Sequence, residues 1–170
     1  MLKIKVLLLL PMLAFFWGCG YKLTGTGSVL PAKARTIAIP DFKNATTRFQ
    51  AEHFISFSLR EKFLKRSRLQ LVDSPANADL FLSGEITRFE VRPVSYSAQG
   101  AANLYQIRIR INIMLTETSS GTLLYESRNQ SFSETYETDG GDFFSQESEK
   151  LQKIAERLAA SIVAAILEGF

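Results

Sequence analysis

Tyr105-Gln106-Ile107-Arg108-Ile109-Arg110-Ile111-Asn112-Ile113-Met114-Leu115 is the stretch that decides the fold. Every second residue from Tyr105 to Leu115 is large and apolar, while Gln106, Arg108, Arg110 and Asn112 fill the gaps. Side chains alternate across a strand, so the pattern predicts a half-buried antiparallel strand with one wet face. Such a strand needs neighbours. Thr118–Gly121 (TSSG) reads as a turn, and Thr122–Tyr136 continues as a hairpin partner whose polar content suits an edge. Upstream, Leu80–Val91 reads as a strand in which Leu80, Leu82 and Ile86 share one parity and Phe89 and Val91 the other. That slip predicts a bulge or strong twist near Thr87. Arg92–Asn103 (RPVSYSAQGAAN), with Pro93 and Gly100, reads as the loop between the two strands.

Working outward, Arg35–Phe42 (RTIAIPDF) alternates and forms a first strand, with Pro40 ending its ladder or placing it at an edge. Asp41–Thr47 is a loop. Arg48–Arg66 is a helix with Thr46 or Thr47 as its cap. Ala51, Ile55, Leu59 and Phe63 recur at i+4 as its inward stripe, and Phe54, Phe57 and Leu64 widen the apolar surface. A helix apolar over so much of its circumference is covered on two sides. The cover is either a sheet below with a second helix beside it, or a partner protein that takes Phe57 and Leu64. Arg68–Val72 is a short strand or part of the helix connection, and Asp73–Ala78 is a turn. Phe143–Leu167 is a second helix, with Ser145 and Ser148 as cap candidates. Leu151, Ile154, Ala155, Leu158, Ile162, Val163 and Ile166 face inward, and Lys150, Lys153, Glu156 and Arg157 face water. The expected fold is α/β (α+β), in the order β-α-β-β-β-α: a four-stranded mixed sheet with both helices on one face. The strands joined through the first helix run parallel, and the last three form a meander.

The N-terminus has a different character. Met1–Lys5 carries two lysines, and Val6–Trp17 is twelve residues without charge. As a helix that run spans about 18 Å, short of a hydrocarbon core of about 30 Å. It therefore reads as an export signal rather than a membrane span. The sole cysteine, Cys19, falls where the apolar run stops, preceded by Gly18. That arrangement resembles the bacterial lipobox, in which the cysteine is acylated, although Phe16 and Trp17 are bulkier than usual there. Each buried CH₂ contributes about 0.8 kcal/mol, so several acyl chains on one residue hold it at a membrane. Gly20, standing where an inner-membrane retention signal would place Asp, favours the outer membrane by resemblance to sorting rules in one bacterial group. The chain divides into a signal peptide at 1–18, a lipidated tether at 19–34 and a single domain at 35–170.

Composition and inventory limit the chemistry. The chain carries 20 basic and 17 acidic residues, but Lys3 and Lys5 lie in the leader. From Cys19 onward the balance is 18 against 17, so no nucleic-acid-binding surface is indicated. One cysteine and one histidine, His53, supply neither a metal cluster nor a catalytic pair. Gly25-Thr26-Gly27 lacks the lysine of a phosphate-binding loop, and Asp139 and Asp142 flank Gly140-Gly141 without the ligand spacing of a calcium loop. An enzyme is not expected, nor a metal, nor any cofactor beyond the covalent lipid on Cys19. Binding is the better class. Arg108 and Arg110 project from the wet face of the central strand, with Arg88 and Arg92 near the end of the preceding one. Arginines on a pleated surface receive phosphates through paired N–H groups. Equally, they form a solvated face balanced by Glu126 or Glu85.

Cys19-Gly20-Tyr21-Lys22-Leu23, Ile37-Ala38-Ile39-Pro40-Asp41-Phe42 with Asn44, Ala78-Asp79-Leu80 with Gly84, and Tyr105-Gln106 before a long final helix together resemble the LptE family of lipopolysaccharide-assembly lipoproteins. The resemblance implies two helices on a four-stranded mixed sheet. It also implies a lipid-anchored protein on the periplasmic side of the outer membrane, partnered with the LptD β-barrel, which it plugs and helps assemble. It implies contact with lipopolysaccharide as well. Some relatives carry basic residues in the loop before the third strand and before the last helix, but Val94–Gln106 here holds no Lys or Arg and Thr138–Glu149 is acidic. Any phosphate contact is expected instead from Arg92, Arg108 and Arg110. Tyr96 and Leu104, flanking a small-residue loop, are expected with Phe57 and Leu64 as barrel contacts, or else they close the hairpin. A periplasmic lipoprotein scaffolding a different envelope complex is the alternative.

Overall fold

The structure, a computed structural model, describes residues 29–98, 100–137 and 147–169. Cys19, the leader, most of the tether and the 138–146 segment lie outside the described residues.

The alternating stretch forms the middle of a long antiparallel meander. It comprises β4 (Leu80–Tyr96), β5 (Ala102–Glu117) and β6 (Leu123–Glu137). Three short segments complete the sheet: β1 (Thr36–Ala38), β2 (Lys43–Asn44) and β3 (Gln70–Leu71). The strand order is β3-β1-β4-β5-β6, with β2 also paired to β4. β1 runs parallel to both β3 and β4, as a strand joined through a helix should. The sheet therefore has six strand segments rather than the expected four. Pro40 ends β1, and the chain rejoins β4 one step further along as β2, where Lys43 is level with Glu85. Segments of two residues are too short to leave an alternation in the sequence.

The helices α1 (Ala51–Arg66) and α2 (Glu147–Glu168) share one core with the apolar face of β5. Ile107, Ile109, Ile111, Ile113 and Leu115 are buried, as are Ala51, Ile55, Leu59 and Phe63 of α1 and Leu158, Ile162, Val163 and Ile166 of α2. At about 1.5–3 kcal/mol for each large side chain removed from water, this single cluster drives the fold. Arg66 of α1 bonds Glu168 of α2 at 2.6 Å, so the two helix C-termini meet at one end.

Two boundaries differ from expectation. α1 begins at Ala51, not Arg48, because Asn44 bends the chain first. Its Oδ1 accepts from the Thr46 N–H (2.9 Å) and hydroxyl (2.7 Å), and its Nδ2 donates to the Arg48 carbonyl (2.7 Å). The cap residue is Gln50, at φ 64°, with no side-chain cap bond, so neither threonine caps the helix. The expected loop at 92–103 is mostly strand, closed by a turn at Ser97–Ala101. Pro93 is tolerated because, among the described residues, β4 has no neighbour on its other side beyond Ile86, and the register slips just past it, between Pro93 and Ser95.

Candidate functional site: the open face of the sheet

Among the described residues, helices cover one face of the sheet. On the other, β4, β5 and β6 present rows of outward side chains. The predicted bulge lies between Ile86 and Arg88, where the Thr87 hydroxyl donates to the Arg110 carbonyl (3.2 Å). By reversing the parity of β4, the bulge turns Arg88, Glu90 and Arg92 outward and leaves Phe89 and Val91 packed on the core.

The pairing builds three successive rows: Arg88 opposite Arg110, Glu90 opposite Arg108, and Arg92 opposite Gln106. β6 adds Ser131, Ser133 and Thr135 beside them. Three guanidiniums, those of Arg88, Arg92 and Arg108, thus act on one carboxylate, with Arg110 in the adjoining row. Glu90 accepts from Arg88 (2.9 Å) and Arg92 (3.2 Å). Burial raises its pKa, but the Arg88 hydrogen bond and the fields of Arg92, Arg88 and Arg108 outweigh that and hold it below the usual range. Arg108 bonds Gln106 (3.3 Å). Arg88 and Arg110 stand directly opposite each other, a like-charge arrangement that destabilises a bare sheet and is relieved when an anion bridges it. The expected counter-charges, Glu85 and Glu126, take no part. Glu126 bonds Arg128 (2.6 Å), and the carboxylate that does sit among the arginines is Glu90. Its position was readable only by carrying the parity slip through to the charged residues.

The other predicted residues fall into two groups that do not meet. Tyr96, 61% exposed, lies with Val94 and Leu104 toward the free end of the β4–β5 hairpin. Phe57 and Leu64, 49% and 53% exposed, lie on the outer ridge of α1, where neither the sheet nor α2 covers them. His53 stacks on Phe57 (6.5 Å) and faces Asp41.

The motif residues, by contrast, are structural. Asp79 accepts from the Arg35 and Thr36 N–H groups (2.8 and 3.0 Å) and the Thr36 hydroxyl (3.1 Å), tying β1 to the start of β4. These donors, the Arg35 N–H foremost, hold its carboxyl below the usual range. Phe42 packs its ring on Gly84, and its N–H donates to the buried Ser56 hydroxyl (2.8 Å). Asn44 also donates to Glu52 (2.6 Å). Among the described residues no three His, Cys, Asp or Glu side chains converge on a point fit for a metal, and no helix is long and apolar enough to cross a membrane.

Residues 34–166 match the LptE family, described as lipopolysaccharide-assembly. Solved structures share the fold at low identity. Protein XCC0632 from Xanthomonas campestris matches with a TM-score of 0.55 at 13% identity, over 82% of this chain and 90% of its own. A hypothetical protein from Chlamydia trachomatis, CT253, gives 0.54 at 12% identity, over 81% and 97%. The PelC dodecamer from Paraburkholderia phytofirmans gives 0.53 at 16%, over 85% and 95%. At such identities these structures speak to the fold alone. No curated protein matches the sequence.

Proposed function

This chain belongs to the LptE lipopolysaccharide-assembly family, and from that premise we propose that it is an outer-membrane lipoprotein, acylated on Cys19, that seats in and helps assemble the LptD β-barrel. The observation that carries the reading is the family match over residues 34–166, nearly the whole domain. The geometry supports it. Among the apolar surfaces that the described elements leave uncovered are the α1 ridge at Phe57 and Leu64 and the hairpin end at Val94 and Tyr96. A plug works by shape and apolar contact, and both surfaces suit a barrel wall. The arginine rows supply the phosphate contacts for lipopolysaccharide, with Arg88 joining Arg92, Arg108 and Arg110.

Affinity purification from detergent-solubilised outer membrane tests the partnership. The native chain recovers a large barrel protein. Phe57→Glu/Leu64→Glu or Tyr96→Glu/Leu104→Glu recovers at least tenfold less, while the purified variants keep the native melting point. Recovery of a different envelope complex, or full recovery by both double variants, refutes the reading. Mass spectrometry of the mature N-terminus checks the acylation separately.

A further inference from the structure

The outward positions of β5 change character along their length. Gln106, Arg108, Arg110 and Asn112 are polar, and then Met114 is apolar and 44% exposed. Its row is Ser83–Met114–Glu126, and the next is Phe81–Thr116–Leu123, with Leu123 48% exposed. A cavity of about 580 Å³ opens over these rows, with Phe81, Ile113 and Met114 as its apolar lining and Lys43, Glu85, Glu126 and Arg128 as its charged lining. A second, of about 290 Å³, lies against the other side of Phe81 and reaches Pro75, Ala76 and Gly121. The two share Phe81 as lining, and the trough they outline runs past β5 from Asn112 to Thr118. The charges in the larger cavity balance: Glu126 bonds Arg128 (2.6 Å), and Lys43 is level with Glu85.

The trough ends where the N-terminal segment enters the domain. Lys33 bonds Glu117 (3.2 Å), and Arg35 and Thr36 bond Asp79. The arginine rows begin about 13 Å above Met114, four residues along β5. The open face therefore changes along its length, from an excess of cations at one level to Phe81, Met114 and Leu123 among balanced charges at the level of the tether.

We propose that this trough holds acyl chains of the same phosphorylated glycolipid whose phosphates meet the arginine rows, with the tails pointing toward the tether end. The inference rests on the lipopolysaccharide reading above and adds a second subsite and an orientation. Two features select an acyl chain over a peptide. A sheet face has its backbone N–H and C=O groups engaged within its ladders, so it offers nothing to a peptide backbone, which would lose its hydrogen bonds to water. An acyl chain needs no such partner, and Met114 is flexible enough to pack on it.

Photo-crosslinking in cells reads the occupant directly. A benzophenone side chain at position 114 or 123 of the full chain gives an adduct that carries phosphorylated glycolipid; the same group at position 61, on α1, does not. Protein adducts, or none, at both positions overturn the proposal. Binding of purified chain to lipid A and to its deacylated, still phosphorylated sugar separates the two subsites. Met114→Glu, and independently Leu123→Asp, weaken lipid A binding about tenfold and leave the deacylated sugar unchanged. Arg88→Ala/Arg110→Ala weakens both. Lipid A binding within twofold of native for Met114→Glu and Leu123→Asp alike removes the trough while the phosphate contact stands. Loss with those variants but not with the arginine pair removes the phosphate contact and keeps the trough.

Discussion

Gly84→Ala is the sharpest test of how the parallel side of this sheet is built. Gly84 sits in β4 opposite Ile113, and the Phe42 ring lies where its side chain would be. A Cβ built there stands 2.5 Å from Cδ2 and 2.7 Å from Cζ of Phe42, and closer still to Cε2. Real Cβ contacts do not occur at such distances, so the ring or the strand must move. The ring is 3% exposed, and its own backbone N–H is fixed to Ser56, so it has no free space to enter. Overpacking of this kind costs about 1–3 kcal/mol. Taking about 2 kcal/mol and a urea dependence of about 2 kcal/mol per molar, the midpoint falls by roughly 1 M. The one tryptophan, Trp17, lies outside the described residues, so far-UV circular dichroism is the probe. Phe42→Leu alone costs about 1–2 kcal/mol. If the clash is the cause, adding it to Gly84→Ala returns about 1 kcal/mol relative to the sum of the single effects. A Gly84→Ala midpoint equal to native, or strict additivity of the two changes, refutes the close-approach argument.

Three further outcomes follow from the same geometry. Asp79 has a lowered folded pKa, so its contribution is complete above the unfolded carboxylate value near 4 and disappears as pH falls through the folded value; urea unfolding from pH 7 to pH 2.5 shows a steeper loss below pH 4 for the native chain than for Asp79→Asn, and parallel curves would contradict this. Ser56→Ala leaves the buried Phe42 N–H without its acceptor and lowers stability by about 1–3 kcal/mol, whereas a change under 0.5 kcal/mol in chemical denaturation means that the bond contributes nothing net. Lipid A binding weakens as salt rises from 50 to 500 mM, because the arginine rows are solvent-facing and screened, and Arg88→Ala/Arg110→Ala flattens that dependence; an identical slope in native and variant excludes those two side chains.

The long elements were legible in the sequence because each repeats its period often enough to be read. Ile107 to Leu115 fixed the central strand and its buried face, Ala51 to Phe63 the stripe of α1, and the parity slip at Thr87 the bulge. Of the short parallel segments, β1 was read as the first strand and β3 only as one alternative for Arg68–Val72, while β2 was taken for loop. β2 and β3 have two residues each and are held by pairing to β4 and β1, a non-local cause with no local signature. Pro93 concealed the upper part of β4, since proline excludes a central strand and the sequence does not say which strand edges stay empty. For the site, Arg108 and Arg110 were placed on the correct face by alternation alone. Glu90 was missed as their counter-charge because the bulge was recognised while its effect on the charged residues beyond it was not followed.

The residues that carry the family resemblance and those proposed to carry the function are different sets, and the fold explains why. Asp79 fastens β1, Asn44 shapes the turn into α1, and Phe42 requires Gly84. All three constraints lie on the parallel side, where segments of two or three residues cannot hold themselves by ladder bonds alone and depend on particular side chains. The meander of β4, β5 and β6 has fifteen or more residues per strand and holds itself by ladder bonds and a continuous core. Apart from Asn112, whose Oδ1 accepts from the Asn129 N–H (2.9 Å) where the β5–β6 register slips, its outward side chains are therefore free of structural duty. Charges on that face and at the hairpin end can move without loss of the fold, which accounts for a chain that matches the family over residues 34–166 while lacking basic residues in the hairpin turn and placing its arginines in the rows at Arg88, Arg92, Arg108 and Arg110. Exchanging these outward residues should leave the unfolding midpoint nearly unchanged while altering ligand binding, and exchanging Asp79, Asn44 or Gly84 should do the reverse.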